Sequence, residues 1–280
     1  MTLHYGISDV SPYINWIYFF HAWGISGMPQ QDKQRLKAEA EERLKACQGR
    51  YLTHAVFELF DVYSDGDDIV VDFQDTKCEV QGTRIPCLRQ QQEGSDYLCL
   101  ADFISPRNMS HTAYPDNSTS KIGVFATATD AGLETDFNDD PYEKMMMQLL
   151  ADRLAEATAE RAHEEVRRHY WGYAPDEQLT IAQMQQEQFL GIRPAVGYPS
   201  LPDTSLNFVI DHLINMKQIG IRLTESGAMK PHASVSGLML AHPKAHYFSL
   251  GKIGEDQLAD YASRRGLPIE LMRKFLGGNL

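Results

Sequence analysis

The chain predicts a mixed α+β fold, and three features of its 280 residues lead there. Strand and helix patterns do not alternate regularly, which argues against a doubly wound parallel sheet. Two apolar runs, residues 55–63 and Ile69-Val70-Val71, flank Ser64-Asp65-Gly66-Asp67 and read as a hairpin closed by turn residues. A helical pattern from Tyr142 to about His169 is the longest in the chain. Met145, Leu149, Leu150, Leu154, Ala157, Ala162 and Val166 form its expected buried stripe.

The remaining elements follow in order. Residues 31–47 repeat Leu36, Ala40, Leu44 and Cys47 at helical spacing among charges, giving an amphipathic helix. Residues 1–50 read as a helical lead-in, and 51–280 as the main α+β body of the same domain. Further strands are expected at 97–104 and 121–129, with a long Ser-, Asn-, Pro- and Thr-rich loop at 105–120 between them. Pro175 ends the long helix, since proline cannot continue it. Helices are then expected at 179–189 and 203–219, and a hairpin at 233–241 and 246–252 around His242-Pro243-Lys244. Two helices close the chain, the second starting near Pro268, a residue suited to a first helical turn.

Composition narrows the function. Hydrophobic residues at 43% and charged residues at 23% are ordinary for a globular chain able to bury a substantial core. No apolar run approaches the roughly 20 residues that span a bilayer. The first residues lack the basic-then-apolar pattern of a secretory signal, so a cytoplasmic protein is expected. Cys47, Cys78, Cys87 and Cys99 include no Cys-x-x-Cys pair, and reduced, mostly buried thiols are expected. A formal net charge of -12 disfavours nucleic-acid binding, which neutralises phosphates with Lys and Arg. No metal-ligand spacing is present. His242 and His246 are four apart but straddle Pro243, and His163 and His169 do not share a helical face. There is no Gly-x-Ser-x-Gly elbow, phosphate-binding Gly loop or dinucleotide fingerprint, and so no expected catalytic residue.

The segment Gly191-Ile192-Arg193-Pro194-Ala195-Val196-Gly197-Tyr198-Pro199 stands apart. Its prolines fix φ and remove donors, so it can be neither mid-helix nor central strand. Gly197 allows unusual backbone angles and close approach of another group. Arg193 offers a planar fork matched to a carboxylate or phosphate. Two readings stand: a rigid loop that holds a small anionic group, or a surface loop whose arginine makes an ordinary ion pair.

The same segment resembles the Arg-x-x-x-Gly-Tyr signature of the C-terminal reactivation domain of cobalamin-dependent methionine synthase. Other motifs fit that family in order along nearly the whole chain. They are Tyr13-Ile14-Asn15-Trp16, Phe19-Phe20-His21-Ala22-Trp23, Leu88-Arg89-Gln90-Gln91 and Cys99-Leu100-Ala101-Asp102-Phe103. Ala151-Asp152-Arg153-Leu154-Ala155-Glu156-Ala157, Tyr170-Trp171-Gly172-Tyr173-Ala174-Pro175, Leu223-Thr224-Glu225-Ser226 and Ala233-Ser234-Val235-Ser236-Gly237 follow.

The resemblance implies a twisted antiparallel sheet with flanking helices in a C-shaped single domain. It also implies binding of S-adenosylmethionine, with the carboxyl group at Arg193 and main-chain help from Ala195 and Gly197. Tyr198, Tyr247 and Phe248 are expected beside the ligand. Glu156 and Glu187 match acidic residues at or near the family site, although Asp152, Glu156 and Glu160 also recur as on a solvated helix face. Asn15 stands where the family usually has aspartate, a neutral acceptor in place of a charged one. Pro202-Asp203-Thr204 lacks the histidine that usually follows, and the family's lysine falls near Leu206.

The implied role is to present the sulfonium methyl to cobalamin carried by a partner domain, with an electron from a flavodoxin-like donor. Such a role needs proximity and orientation rather than a side-chain nucleophile. The chain has no Asp-x-His-x-x-Gly motif of a corrin-binding domain, so the resemblance implies the reactivation domain alone. A non-catalytic S-adenosylmethionine sensor or docking protein on the same fold is the alternative. A hydrolase using Glu156 and Glu187 has only those two carboxylates behind it.

Overall fold

The computed structural model describes residues 1–72, 82–107 and 121–280. Cys78 and most of the loop expected at 105–120 lie outside them. The strands are β1 (Thr2–Gly6), β2 (Leu52–Asp65), β3 (Asp68–Val71), β4 (Arg84–Pro86) and β5 (Lys121–Thr129). A separate two-stranded ribbon of β6 (Arg222–Leu223) and β7 (Met229–Lys230) follows, and then β8 (Ser234–Met239). The main sheet runs β4-β3-β2-β5-β8, with β1 also paired to β2. Every pairing between these strands is antiparallel. The fold class is therefore the expected α+β one.

β2 explains the sheet. Its fourteen residues are long enough to pair with β1, β3 and β5 along different stretches. The hairpin to β3 turns at Gly66-Asp67, as the sequence predicts. β5 is buried at every position after Lys121, because helices cover both sheet faces. Alternation divides its side chains between two cores. Val124 and Ala126 meet α7 (Leu206–Ile214), while Phe125 packs with Ala159 and Val166. Thr127 lies on the second face too, and its hydroxyl donates to the Ala155 carbonyl at 2.9 Å.

The helices before α7 are α1 (Ile7–Val10), α2 (Trp16–Ala22), α3 (Gln30–Ala46), α4 (Gly132–Thr135), α5 (Pro141–Glu165) and α6 (Ile181–Gln185). α8 (Glu255–Arg265) and α9 (Ile269–Phe275) follow it, and Pro268 caps α9. α3 buries Leu36, Ala40 and Leu44 as expected. α5 starts where Asp140 accepts from the Tyr142 N–H and Pro141 fills the first turn. It ends in a π-helical turn, Val166–Tyr170. Met145 is 44% exposed, against expectation. The buried face instead uses Met146, Met147, Leu150 and Ala151, because α5 packs on the sheet and on the N-terminal helices at once.

Three expected elements take other forms. Residues 97–104 do not form a strand. The Asp102 carboxylate accepts from the Cys99 N–H at 2.8 Å and draws Leu100–Phe103 into a 3-10 turn. Residues 246–252 do not pair with β8, because the edge they would need is held by the segment around Arg193. The N-terminal lead-in begins with β1, a strand that short polar-apolar alternation in Thr2–Gly6 signals only weakly. Cys47, Cys87 and Cys99 are buried and unbridged. No helix among the described residues is long and apolar enough to cross a membrane.

Candidate functional site

The segment 191–199 is laid along the free edge of β8. Ile192 and Leu240 exchange both backbone hydrogen bonds at 2.9 Å, Leu238 N–H donates to Pro194 at 3.0 Å, and Val196 N–H donates to Ser236 at 2.9 Å. The alternation of an antiparallel ladder then turns the Arg193 and Ala195 main-chain groups away from β8. The Arg193 N–H donates to the Tyr247 hydroxyl at 2.8 Å. Tyr247 reaches this position because Leu250 N–H donates to the Pro199 carbonyl at 2.9 Å, tying 246–250 beside the loop.

Two glycines permit this approach. A Cβ on Gly237 would lie 2.2 Å from the Pro194 oxygen, and one on Gly191 would lie 2.2 Å from the Leu240 oxygen. Gly197 matters differently from the expectation. Its neighbourhood is open, with Thr204 Cγ2 at 3.6 Å as the nearest atom, but its φ of +87° is one that only glycine adopts freely. Its N–H donates to the Leu201 carbonyl at 2.8 Å, closing the turn that carries Tyr198.

Beneath this loop lies a cavity of about 710 Å³, within the range of small-molecule sites. α5 supplies Arg153, Glu156 and Glu160 to one wall, and the end of α6 with the turn after it supplies Met184, Gln185 and Glu187. Arg193, Ala195 and Tyr198 form the loop wall, Tyr247 and Phe248 the adjoining one, and Asn15 and Tyr18 stand at the start of α2. Eight of the nine expected site residues therefore share one cavity, and Gly197 lies just outside it.

Charge is arranged in pairs. Arg193 is bound through one guanidinium nitrogen by Glu160, and its side chain is only 11% exposed. Burial works against that charge, but Glu160 outweighs it and keeps the guanidinium pKa raised. Its other terminal nitrogen, Nη1, is buried without a hydrogen-bond partner, as is Oε2 of Glu160. Glu156 accepts from Arg153 at 2.8 Å and from the Tyr198 hydroxyl at 2.9 Å. Desolvation, and then the negative charge of Glu156, pushes the Tyr198 pKa up to about 12. Glu187 follows α6 in a left-handed conformation, φ 57°. Desolvation and then repulsion from Glu160 raise its carboxyl pKa, against a smaller lowering by Arg193. Behind the wall, His163 is fully buried, and burial with Arg167 and Arg193 nearby holds its pKa well below the usual value.

Other site residues carry local duties. The Asn15 side-chain oxygen caps α2 by accepting from Ile17 N–H at 3.1 Å. Asp203, beside the missing histidine, is fully buried. It accepts from Ser205 N–H at 2.8 Å and from the Tyr261 hydroxyl at 2.9 Å, and it pairs with Arg265 at 3.2 Å. That stretch anchors α8, and Leu206 is core. Sequence reasoning missed Glu160 and Arg153. The four-residue recurrence of Asp152, Glu156 and Glu160 is a signal for Glu160 alone: Glu156 and Glu160 line the cavity, whereas Asp152 lies outside it beside His232.

Among the described residues no group of three or more His, Cys, Asp or Glu side chains could hold a metal ion. The pattern of the family described as "Vitamin B12 dependent methionine synthase, activation domain" matches residues 6–266. A solved structure, described as the crystal structure of the MetH reactivation domain bound to AdoHcy, is 34% identical. The match covers 100% of this chain and 90% of that one, with a TM-score of 0.87. With the family pattern spanning almost all of its length, the chain belongs to the activation domains of vitamin B12-dependent methionine synthase.

Proposed function

We propose that the chain is an S-adenosylmethionine-binding reactivation module that supports reductive methylation of cobalamin held by another domain of a methionine synthase. The observation that carries this reading is Arg193, which lines a cavity of suitable size and whose Nη1 is buried without a hydrogen-bond partner. An unsatisfied buried donor on a fixed cation costs about 1–3 kcal/mol or more, and an α-carboxylate satisfies it with a charge-assisted bond. The Ala195 N–H, turned away from β8, is a second donor for the same end of the ligand.

The remaining charges fit the same ligand. Glu156, Glu160 and Glu187 face Arg153 and Arg193 around the cavity, three negative groups against two positive ones. S-adenosylmethionine carries one carboxylate, one ammonium and one sulfonium, so its single net positive charge balances the site. Tyr247 and Phe248 provide apolar faces for the rest of the molecule. When bound, the ligand supplies a methyl group on a sulfonium, and the residues here hold and orient it without acting as nucleophile or base. The protein is in this reading a methyltransferase component, incomplete without a cobalamin-binding domain. A flavodoxin-like electron donor completes the system, in the cytoplasm and without nucleic acid.

Asn15 supports a second reading. Its oxygen is engaged in capping α2 and brings no negative charge to a cationic ligand, which suits a weaker-binding sensor or docking protein. One experiment separates the two. A methionine synthase core lacking this domain is inactivated by oxidation, then supplied with this protein, S-adenosylmethionine and a reductant. Recovery of methionine formation is expected. Binding of S-adenosylmethionine without recovery contradicts the reactivation reading and favours the sensor.

A further inference from the structure

On the solvent side of β1 and β2, His4 stands directly opposite His54 in the antiparallel register. Their Nδ1 atoms are hydrogen-bonded at 2.8 Å, with the rings 79° to one another. On the far side of His54, Nε2 lies 2.9 Å from Oδ1 of Asp130. A carboxylate accepts only, so this contact places the His54 proton on Nε2 and leaves a lone pair on Nδ1. Asp130 is itself fixed, because it accepts from the Leu52 N–H at 2.8 Å. The next residue across the sheet is Ala128, which leaves the imidazole free of a bulky neighbour. The His4 Nδ1–H then donates to that lone pair, and His4 is exposed, so a metal ion can displace this proton to water and take both Nδ1 atoms.

We propose that His4 and His54 form a two-histidine site for a divalent transition metal, oriented by Asp130. The arrangement has the carboxylate–histidine support that accompanies metal-ligating imidazoles. The metal class follows from distance. With metal–nitrogen bonds of about 2.0–2.1 Å, two nitrogens 2.8 Å apart subtend about 85° at the metal. That is a cis angle of a square-planar or tetragonal ion, Ni²⁺ or Cu²⁺, and too small for tetrahedral Zn²⁺. Water fills the remaining positions, since no third protein ligand converges among the described residues. The pair is 50 residues apart in sequence, so spacing alone could not reveal it. It lies outside the cavity described above and does not depend on the function proposed for it.

The test is calorimetric titration of the untagged full chain with NiCl₂ in a non-coordinating buffer. One saturable site is expected. His4→Ala and His54→Ala should each lower the affinity at least about tenfold, and Asp130→Asn by about 10–100-fold, as for other supporting carboxylates. His54→Gln keeps a donor toward Asp130 and controls for folding; it should lose the metal while keeping the wild-type melting temperature. No saturable binding, or equal binding by wild type and the His4→Ala/His54→Ala double variant, overturns the proposal.

Discussion

Arg193→Ala lowers affinity for S-adenosylmethionine by roughly a hundredfold or more, because truncating one member of a buried, hydrogen-bonded charge pair costs about 2–5 kcal/mol. Arg193 carries two charges' worth of organisation. One nitrogen holds Glu160 and the other is buried without a hydrogen-bond partner; in the proposed binding mode it takes the ligand carboxylate. The substitution therefore also strands Glu160, whose side chain is 24% exposed. The stability loss should fall below the roughly 3–5 kcal/mol seen when fully buried pairs are broken. The two effects are separable. Adding Glu160→Gln to Arg193→Ala removes the stranded charge and should recover stability without recovering binding. Arg193→Lys should bind weakly too, since an ammonium cannot serve Glu160 and a ligand carboxylate with the same fork. Calorimetry and thermal unfolding on the four proteins read both quantities. Binding by Arg193→Ala within threefold of wild type would return this arginine to an ordinary ion pair.

Gly237→Ala is expected to be, with Gly191→Ala, the most damaging kind of single-methyl change near the site. The added Cβ meets the Pro194 oxygen at 2.2 Å, the Ala195 Cα at 2.8 Å and Phe125 Cε1 at 3.0 Å. Two of those three atoms are backbone, so no rotamer relieves the contact and the loop must lift from β8. Overpacking of this kind costs about 1–3 kcal/mol of stability. It also moves Arg193 and Ala195 together, so ligand affinity should fall at least about tenfold. Gly191→Ala should behave alike, with a left-handed φ of +83° adding strain. Gly197→Ala meets no close backbone atom and should be milder, losing only the cost of its φ. An order in which Gly197→Ala is the worst of the three, by thermal unfolding and calorimetry, would contradict the stapled-loop account.

Much of the architecture was legible because local chemistry and tertiary packing agree in this chain. α3, β2, β5 and α5 each announce themselves by periodicity, and the hairpin turn by Asp-Gly. The failures have particular causes. Cys99-Leu100-Ala101-Asp102-Phe103 looks like a strand by composition, but one carboxylate reaching back to the Cys99 N–H wins over β propensity. Residues 246–252 have strand-like composition, but they lost β8 to Ile192 and Val196, a competition between segments about 50 residues apart. No local signal records such a contest. For the site, residue types and the family resemblance pointed to the cavity members, while their couplings were hidden. Glu160 as partner of Arg193, the Tyr247 hydroxyl under the Arg193 N–H, and Gly237 as the glycine of close approach are all relations between distant positions. Gly197 was credited with the close approach because it sits in the loop; the clash that forbids a side chain lies on the strand opposite.

The central claim is that Arg193 seats the carboxylate of S-adenosylmethionine, and a ligand lacking that group tests it most directly. Calorimetric titration of the wild-type protein with S-adenosylmethionine and with its decarboxylated analogue should show the analogue binding roughly a hundredfold or more weakly, matching the loss of a charge-assisted pair. In Arg193→Ala the two ligands should bind with nearly equal, weak affinity. Equal binding of both ligands by the wild type would contradict the account, because the cavity would then hold its ligand without the contact that Arg193 is placed to make.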